Sequence, residues 1–309
     1  MIQPLRNTQE YKALQEYVKE VLLVIHTTDN TNWLAVCKEM DGPTIESQSV
    51  KGQTGPLLFK LETQSHTAIV MGAFGNCKAA LIETSPDSHE LEEALVYLTQ
   101  AKCVISVGYA YAFNRTSHKH CDIFVSDCID GVSKVGPGTD NGAHEFSFCW
   151  EPTRFVDVSE NLKDIFDDKW KGFACTKRIY RESKVYKGNI ISLSQTDKIH
   201  IKNNLFRVLR NQSTYLGGDN GTGLSLLQIK NRLADKRNLD IILIKGVVHY
   251  GNDSSGSADN LQLDLEIKKW HLTASIAVTH YVKYKLKHAA GLSQYFSVSC
   301  VHCKSLDFH

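Results

Sequence analysis

His249 closes the apolar run LDIILIKGVVHYGN, Leu239 to Asn252, and by residue type it is well suited to move a proton. An imidazole with an unperturbed pKa near ~6.5 is partly protonated at neutral pH and can donate to a basic nitrogen. Leu239, Ile241, Ile242, Leu243 and Ile244 read as a strand buried on both faces, and Lys245-Gly246 as the turn that brings the chain out of the sheet. Ligand crevices in α/β sheets open at such strand ends. Two readings of His249 stand at this point: a histidine satisfied by hydrogen bonds, and a ligand-facing group. Two further clusters have metal-like residue types. His118-Lys119-His120-Cys121 with Asp122 reads as a solvated loop before a strand, and Cys300-Val301-His302-Cys303 is a single CxxC with no second pair at zinc spacing. No metal site is expected from either.

The elements that must position His249 alternate between β and α. An opening helix, roughly Thr8 to Lys19, leads to the buried strand Val21 to Ile25. A helix from about Asn32 ends at Asp41-Gly42-Pro43. Leu57 to Leu61 and Thr67 to Val70 pattern as a hairpin pair, Met71 to Gly75 as a glycine turn, and Asn76 to Glu83 as the start of a helix. Ser88 to Ala101 carries Leu91, Ala94, Leu95 and Leu98 on one helical face. Cys103 to Val107, Asp122 to Ile129 and Asn189 to Ser194 read as strands, Asn161 to Trp170 and Asp264 to Lys287 as helices. Asp130 to Phe148 and Asn252 to Asn260 read as surface loops. This order predicts an α/β fold with a mostly parallel or mixed sheet covered on both sides. The expected division is an N-terminal helical extension over 1–20, one domain over 21–290 and a tail over 291–309.

Composition narrows the function classes. The 309 residues are 42% hydrophobic and 22% charged, ordinary for a globular chain. A formal charge of +1, from 35 basic and 34 acidic residues, gives no electrostatic reason to expect nucleic acid or an anionic membrane as partner. The first 20 residues carry scattered charges and no apolar signal core, and no run approaches ~18 apolar residues, so a cytoplasmic protein is expected. Nine cysteines, an odd number spread along the chain, fit free thiols better than a disulfide framework.

Several segments resemble, in order, the nucleoside phosphorylase and nucleosidase superfamily. Val21 to Met40 is similar to its first strand and helix, and Met71 to Thr84 to a glycine turn facing the sugar and the phosphate or water site. Val107-Gly108-Tyr109-Ala110 through Cys121 to Ser126 resembles VGIA followed by GDVLVS. Leu216 to Leu224, LGGDNGTGL, is similar to IGGEMEGAGL with one residue missing, and Lys245 to Asn252 is similar to the end of WIVIKGICDYAD. The resemblance covers roughly Val21 to Lys287. It implies a three-layer α/β/α fold with a mixed twisted central sheet, a homo-oligomer, and cleavage of the bond between ribose and a purine base without cofactor or metal.

That chemistry uses an acid at the base, hydrogen bonds to the ribose hydroxyls and a group that activates a nucleophile under the sugar. The resemblance places these roles on His249, on Asn220 or its neighbour Asp219, and on Asn32 or its neighbour Asp29. Carboxylates occupy all three positions in relatives, so this chain departs from the pattern at each aligned residue. Gly72, Tyr109 and Lys245 fall where relatives line the nucleoside site. Arg154, Arg178 and Arg181 are candidates for an anion but read as solvated surface. Hydrolysis is favoured over phosphorolysis, and the alternative is a catalytically degenerate protein that senses a ligand or binds a partner.

Overall fold

The computed structural model describes residues 16–42, 57–60, 68–85, 89–137, 148–175, 180–192, 214–235, 237–250 and 260–296. Residues 16–19 are helical and lead into β1 (Leu23–Thr27), then α1 (Asn30–Glu39), β2 (Leu57–Lys60), β3 (Ala68–Phe74), β4 (Cys77–Glu83) and α2 (Glu90–Tyr97). There follow β5 (Cys103–Ala112), β6 (Ile123–Pro137), β7 (Phe148–Asp157), α3 (Glu160–Ile165), β8 (Gly172–Cys175), β9 (Tyr180–Ser183) and β10 (Val185–Ser192). The last elements are β11 (Tyr215–Asp219), α4 (Thr222–Leu233), β12 (Asp240–Tyr250), α5 (Asn260–His288) and the single turn α6 (Leu292–Tyr295).

Ten strands form one mixed sheet in the order β11-β10-β6-β12-β5-β1-β4-β3-β2, with β7 on β6. β1 runs parallel to β4 and β5, and β5 runs parallel to β12, so these central strands are buried on both faces. Alternate residues then serve opposite layers. Leu23, Ile25, Ile105, Ile242 and Ile244 pack with Val36 of α1, Leu162 of α3 and Val278 and Tyr281 of α5. Val24, Val104, Ile241 and Leu243 pack with Leu91 and Leu95 of α2 and Leu226 and Ile229 of α4. The result is the three-layer α/β/α architecture expected from the sequence.

One half of the sheet closes on itself. β11 pairs with β10 on one side and antiparallel with β5 on the other, so β5, β12, β6, β10 and β11 form a ring. Gly217 and Gly218 make that closure possible. A Cβ at Gly217 would lie 2.2 Å from the Tyr111 carbonyl oxygen, and one at Gly218 2.4 Å from the Tyr111 hydroxyl.

Four local readings are corrected: Lys245-Gly246 is no turn, since β12 runs through it to Tyr250, and residues 71–74 lie within β3. Residues 77–83 form a strand, not a helix start, although Lys, Ala, Leu and Glu are good helix formers. Pairing with β1 on one side and β3 on the other outweighs their propensity, and the turn is a tight one at Gly75-Asn76. Residues 130–148 are not one surface loop: β6 runs on to Pro137 and β7 resumes at Phe148, the two pairing antiparallel. Loops read at 252–260 fall almost wholly outside the described residues.

Gly75 sits at φ +63°, and a Cβ there would come within 2.7 Å of the Leu286 backbone. The adjacent Asn76 donates from its backbone N–H to Leu286 O and from its side chain to Lys287 O, so the hairpin tip satisfies carbonyls in the last turn of α5. Gly75→Ala combines a left-handed backbone with that clash and is expected to lower stability by about 1–3 kcal/mol in urea unfolding.

Candidate functional site

α5 lies close over β12 because both carry small residues at the crossing. A Cβ added at Gly246 would come within 2.8 Å of the Ala274 Cβ. Three residues on along the strand, and three back along the helix, His249 and His271 meet. Their Nε2 atoms are 3.4 Å apart and their rings nearly perpendicular at 85°. His271 stacks on Tyr109 of β5, centroids 4.3 Å apart and planes 17° from parallel.

The Tyr109 hydroxyl lies 3.1 Å from Asp29 Oδ1 and 2.9 Å from Ser275 Oγ, while Ser275 Oγ is 2.8 Å from the His271 carbonyl. Three contacts share two hydroxyl protons. The carboxylate is the strongest acceptor among them, so Tyr109 donates to Asp29. Asp29 also caps α1, its Oδ1 accepting from the N–H of Thr31 at 2.8 Å and of Asn32 at 3.2 Å. Burial lowers the His271 pKa, the nearby His249 lowers it further, and Asp29 opposes the shift. Burial also raises the Tyr109 phenol above its ordinary range.

A second, fully buried polar chain runs through the sheet beneath. Lys245, 1% exposed, donates from Nζ to Ser106 Oγ at 3.0 Å and lies 3.9 Å from Asp219 Oδ2. Asp219 in turn accepts from Ser192 Oγ at 2.6 Å, from Gly221 N at 3.1 Å and from Gly223 N at 3.2 Å, so it holds the first turn of α4 as well as the lysine. On the other side Ser106 Oγ is 3.5 Å from His26 Nδ1, and His26 Nε2 is 2.9 Å from Thr84 Oγ1. Burial pushes the Lys245 ammonium down to about 8, against the pull of Asp219. Burial, and then the charge of Lys245, push His26 down to about 3.

The His26 shift has a measurable sign. Its folded pKa lies below the ordinary 6.5, so the unfolded chain takes up a proton that the folded chain refuses, and stability falls as pH drops from 6.5 toward 3. Between pH ~6.5 and ~4.5 the wild type is expected to lose roughly 2–3 kcal/mol more than His26→Gln, by urea unfolding at matched pH.

The residues singled out in the sequence therefore divide. Asp29, Tyr109 and His249 come together, joined by His271 and Ser275, which the sequence reading missed. Their signal was there: His271 and Ser275 are four apart on one helical face, polar among Ala274, Ala277 and Val278. Lys245 and Asp219 belong to the buried chain with His26 and Ser106. Asn32 is 1% exposed, and its Nδ2 has no hydrogen-bond partner among the described residues. Asn220 is exposed. Gly72 lies inside β3, where a Cβ would come within 2.3 Å of the Asp41 carbonyl oxygen.

The histidines of the metal-like loop are not solvated as read. His118 packs edge-on to Phe124 and Tyr186, and His120 stacks on Trp270. Among the described residues no group of three or more His, Cys, Asp or Glu could hold a metal ion. The Cys300–Cys303 motif lies outside the described residues. Among those residues, too, no helix is long and apolar enough to cross a membrane.

No protein-family model and no curated protein sequence matches this chain. Solved structures do. A 5'-methylthioadenosine/S-adenosylhomocysteine nucleosidase from S. pneumoniae, solved with a transition-state inhibitor, is 11% identical with a TM-score of 0.55 over 86% of this chain and 98% of its own. The nucleosidase of the same name from Neisseria meningitidis, in complex with methylthio-immucillin-A, is 12% identical with a TM-score of 0.55 over 86% and 98%. Futalosine hydrolase of Helicobacter pylori is 9% identical with a TM-score of 0.55 over 86% and 97%. At such identities the likeness is one of fold, and it extends over nearly the whole of each relative. The chain has the three-layer fold of the nucleoside phosphorylase and nucleosidase superfamily.

Proposed function

We propose that this protein recognises a purine nucleoside or nucleotide and hydrolyses its N-glycosidic bond, with His249 as the proton donor to the departing base. The observation that carries the reading is the continuous contact Asp29–Tyr109–His271–His249, which gathers groups from beyond β1, from β5, from α5 and from the end of β12, the carboxyl-end side on which α/β sheets bind ligands.

In the proposed reaction His249 gives a proton to N7 of the purine, and the C1'–N9 bond breaks with its electron pair leaving on the base. The ribose takes on oxocarbenium character, which a nearby negative charge stabilises. Asp29 supplies that charge. Water then adds to C1' and gives its proton to Asp29 or to solvent. Asp29 Oδ1 accepts from the Thr31 and Asn32 amides and the Tyr109 hydroxyl, which fix the carboxylate in position. Burial disfavours protonation of His271, which stands beside His249 as a neutral neighbour.

Hydrolysis is preferred to phosphorolysis for a structural reason. The N-terminal amides of α1 that could hold a phosphate are already capped by Asp29, whose charge also repels an anion. A binding protein without catalysis is the second reading, favoured by Asn32: a buried amide stands where relatives carry a carboxylate, and an amide cannot take a proton from water.

Incubation of the purified protein with adenosine, inosine, methylthioadenosine, AMP and ATP, with and without phosphate, separates the readings. Free base released independently of phosphate supports hydrolysis, and release that requires phosphate overturns it. Absence of release with a clear ligand-induced thermal shift supports the binding protein, and absence of both rejects the purine site.

A further inference from the structure

We propose that His249 and His271 form a two-imidazole site for a borderline divalent transition metal, with zinc as its representative. The distance between their nitrogens is the first argument. Two imidazoles bound to one tetrahedral zinc at ~2.0–2.1 Å stand with their nitrogens about 3.3–3.4 Å apart. The two Nε2 atoms are 3.4 Å apart, in hydrogen-bond contact, while the ring centroids are 5.4 Å apart, so the nitrogens are the facing atoms.

Preorganisation is the second argument. His271 is clamped by its stack on Tyr109, whose hydroxyl is held between Asp29 and Ser275, and Ser275 is itself anchored to the His271 carbonyl. His249 lies on a paired strand. Binding a metal therefore does not require either ring to be ordered first, the usual loss when a surface pair is recruited. Both histidines are only half-buried, so an ion reaches them from solvent.

Imidazole nitrogen suits zinc, copper and nickel rather than magnesium or calcium. The described residues supply these two nitrogens as ligands, and a tetrahedral ion has further positions for water or a bound ligand. A metal held there occupies the nitrogen from which the base would take its proton. Zinc is then an inhibitor of base release, a consequence that rests on the reaction proposed above; the binding itself does not.

The test is equilibrium dialysis and calorimetry of the full chain with Zn²⁺ in a Cys300→Ser, Cys303→Ser background, which removes the competing CxxC. One saturable equivalent per chain is expected, weakened about tenfold or more by His271→Gln and by His249→Gln and unchanged by His288→Ala on the exposed end of α5. No saturable binding, or binding undiminished when both glutamines are present, overturns the site. Circular dichroism on each variant confirms the fold, and the neutral glutamine keeps a side chain of similar size at each position. Binding without any detectable nucleosidase activity still supports the site and counts only against the reaction.

Discussion

Asp219→Ala is expected to lower folding stability by about 3–5 kcal/mol, the scale on which removing one partner leaves a buried charge uncompensated. The alanine removes the acceptor of Ser192 Oγ and of the Gly221 and Gly223 amides, and the counter-charge of a lysine with 1% exposure. Those donors are buried, so water does not replace the carboxylate without opening the structure. The lysine limits the loss by shedding its proton, since burial already holds its pKa near 8. Lys245→Met added to Asp219→Ala is therefore expected to recover a large part of the loss, and urea midpoints for the two single variants and the double close the cycle. A loss below about 1 kcal/mol for Asp219→Ala contradicts the assignment of this carboxylate as the centre of the buried chain.

His249→Ala is expected to reduce base release by ~10²- to 10⁴-fold, the usual contribution of one general acid, with kcat and kcat/KM falling together because the interaction is made in the transition state. The half-buried imidazole leaves little cavity behind, so stability changes much less than it does in Asp219→Ala. His271→Ala acts at one remove: it removes the ring in contact with His249 and the stack on Tyr109. Base release by His249→Ala at the wild-type rate assigns the proton to another group.

What could be read in the sequence depended on how local its determinants are. The strand within Leu239 to Asn252 and the helix within Asp264 to Lys287 announce themselves because an apolar run or a long helix carries its own signal. Residues 77–83 did not, because their strand exists only by pairing with β1 and β3. The extension of β6 to Pro137 likewise depends on β7. Among the candidate residues, His249 was legible as a group at the end of an apolar run, while Asp29 and Tyr109 entered only through the resemblance. Their joining was not legible, since His271 and Ser275 come from a helix whose approach to β12 depends on Gly246 and Ala274. Asp219 entered only through the resemblance, as the neighbour of Asn220. Its engagement with Lys245, Ser192 and the first turn of α4 requires three elements that no sequence window contains.

The ring of β5, β12, β6, β10 and β11 bears on how the chain is made as well as on what it holds. Cys103 at the head of β5 faces Asp240 at the head of β12, and Tyr111 near its tail faces Gly218. Contacts so distant along the chain form late and slowly, because loop-closure entropy precedes any gain from pairing. During synthesis β5 can join β1 early, but its other edge has no ring partner until β11 and β12 emerge. That edge leaves backbone N–H and C=O groups unpaired beside the apolar side chains Val104, Ile105, Val107, Ala110 and Ala112 on the two faces, open to wrong partners in the interval. The two glycines that let β11 close against Tyr111 thus set the end of a period of vulnerability in the nascent chain, a duty separate from any chemistry at the strand ends.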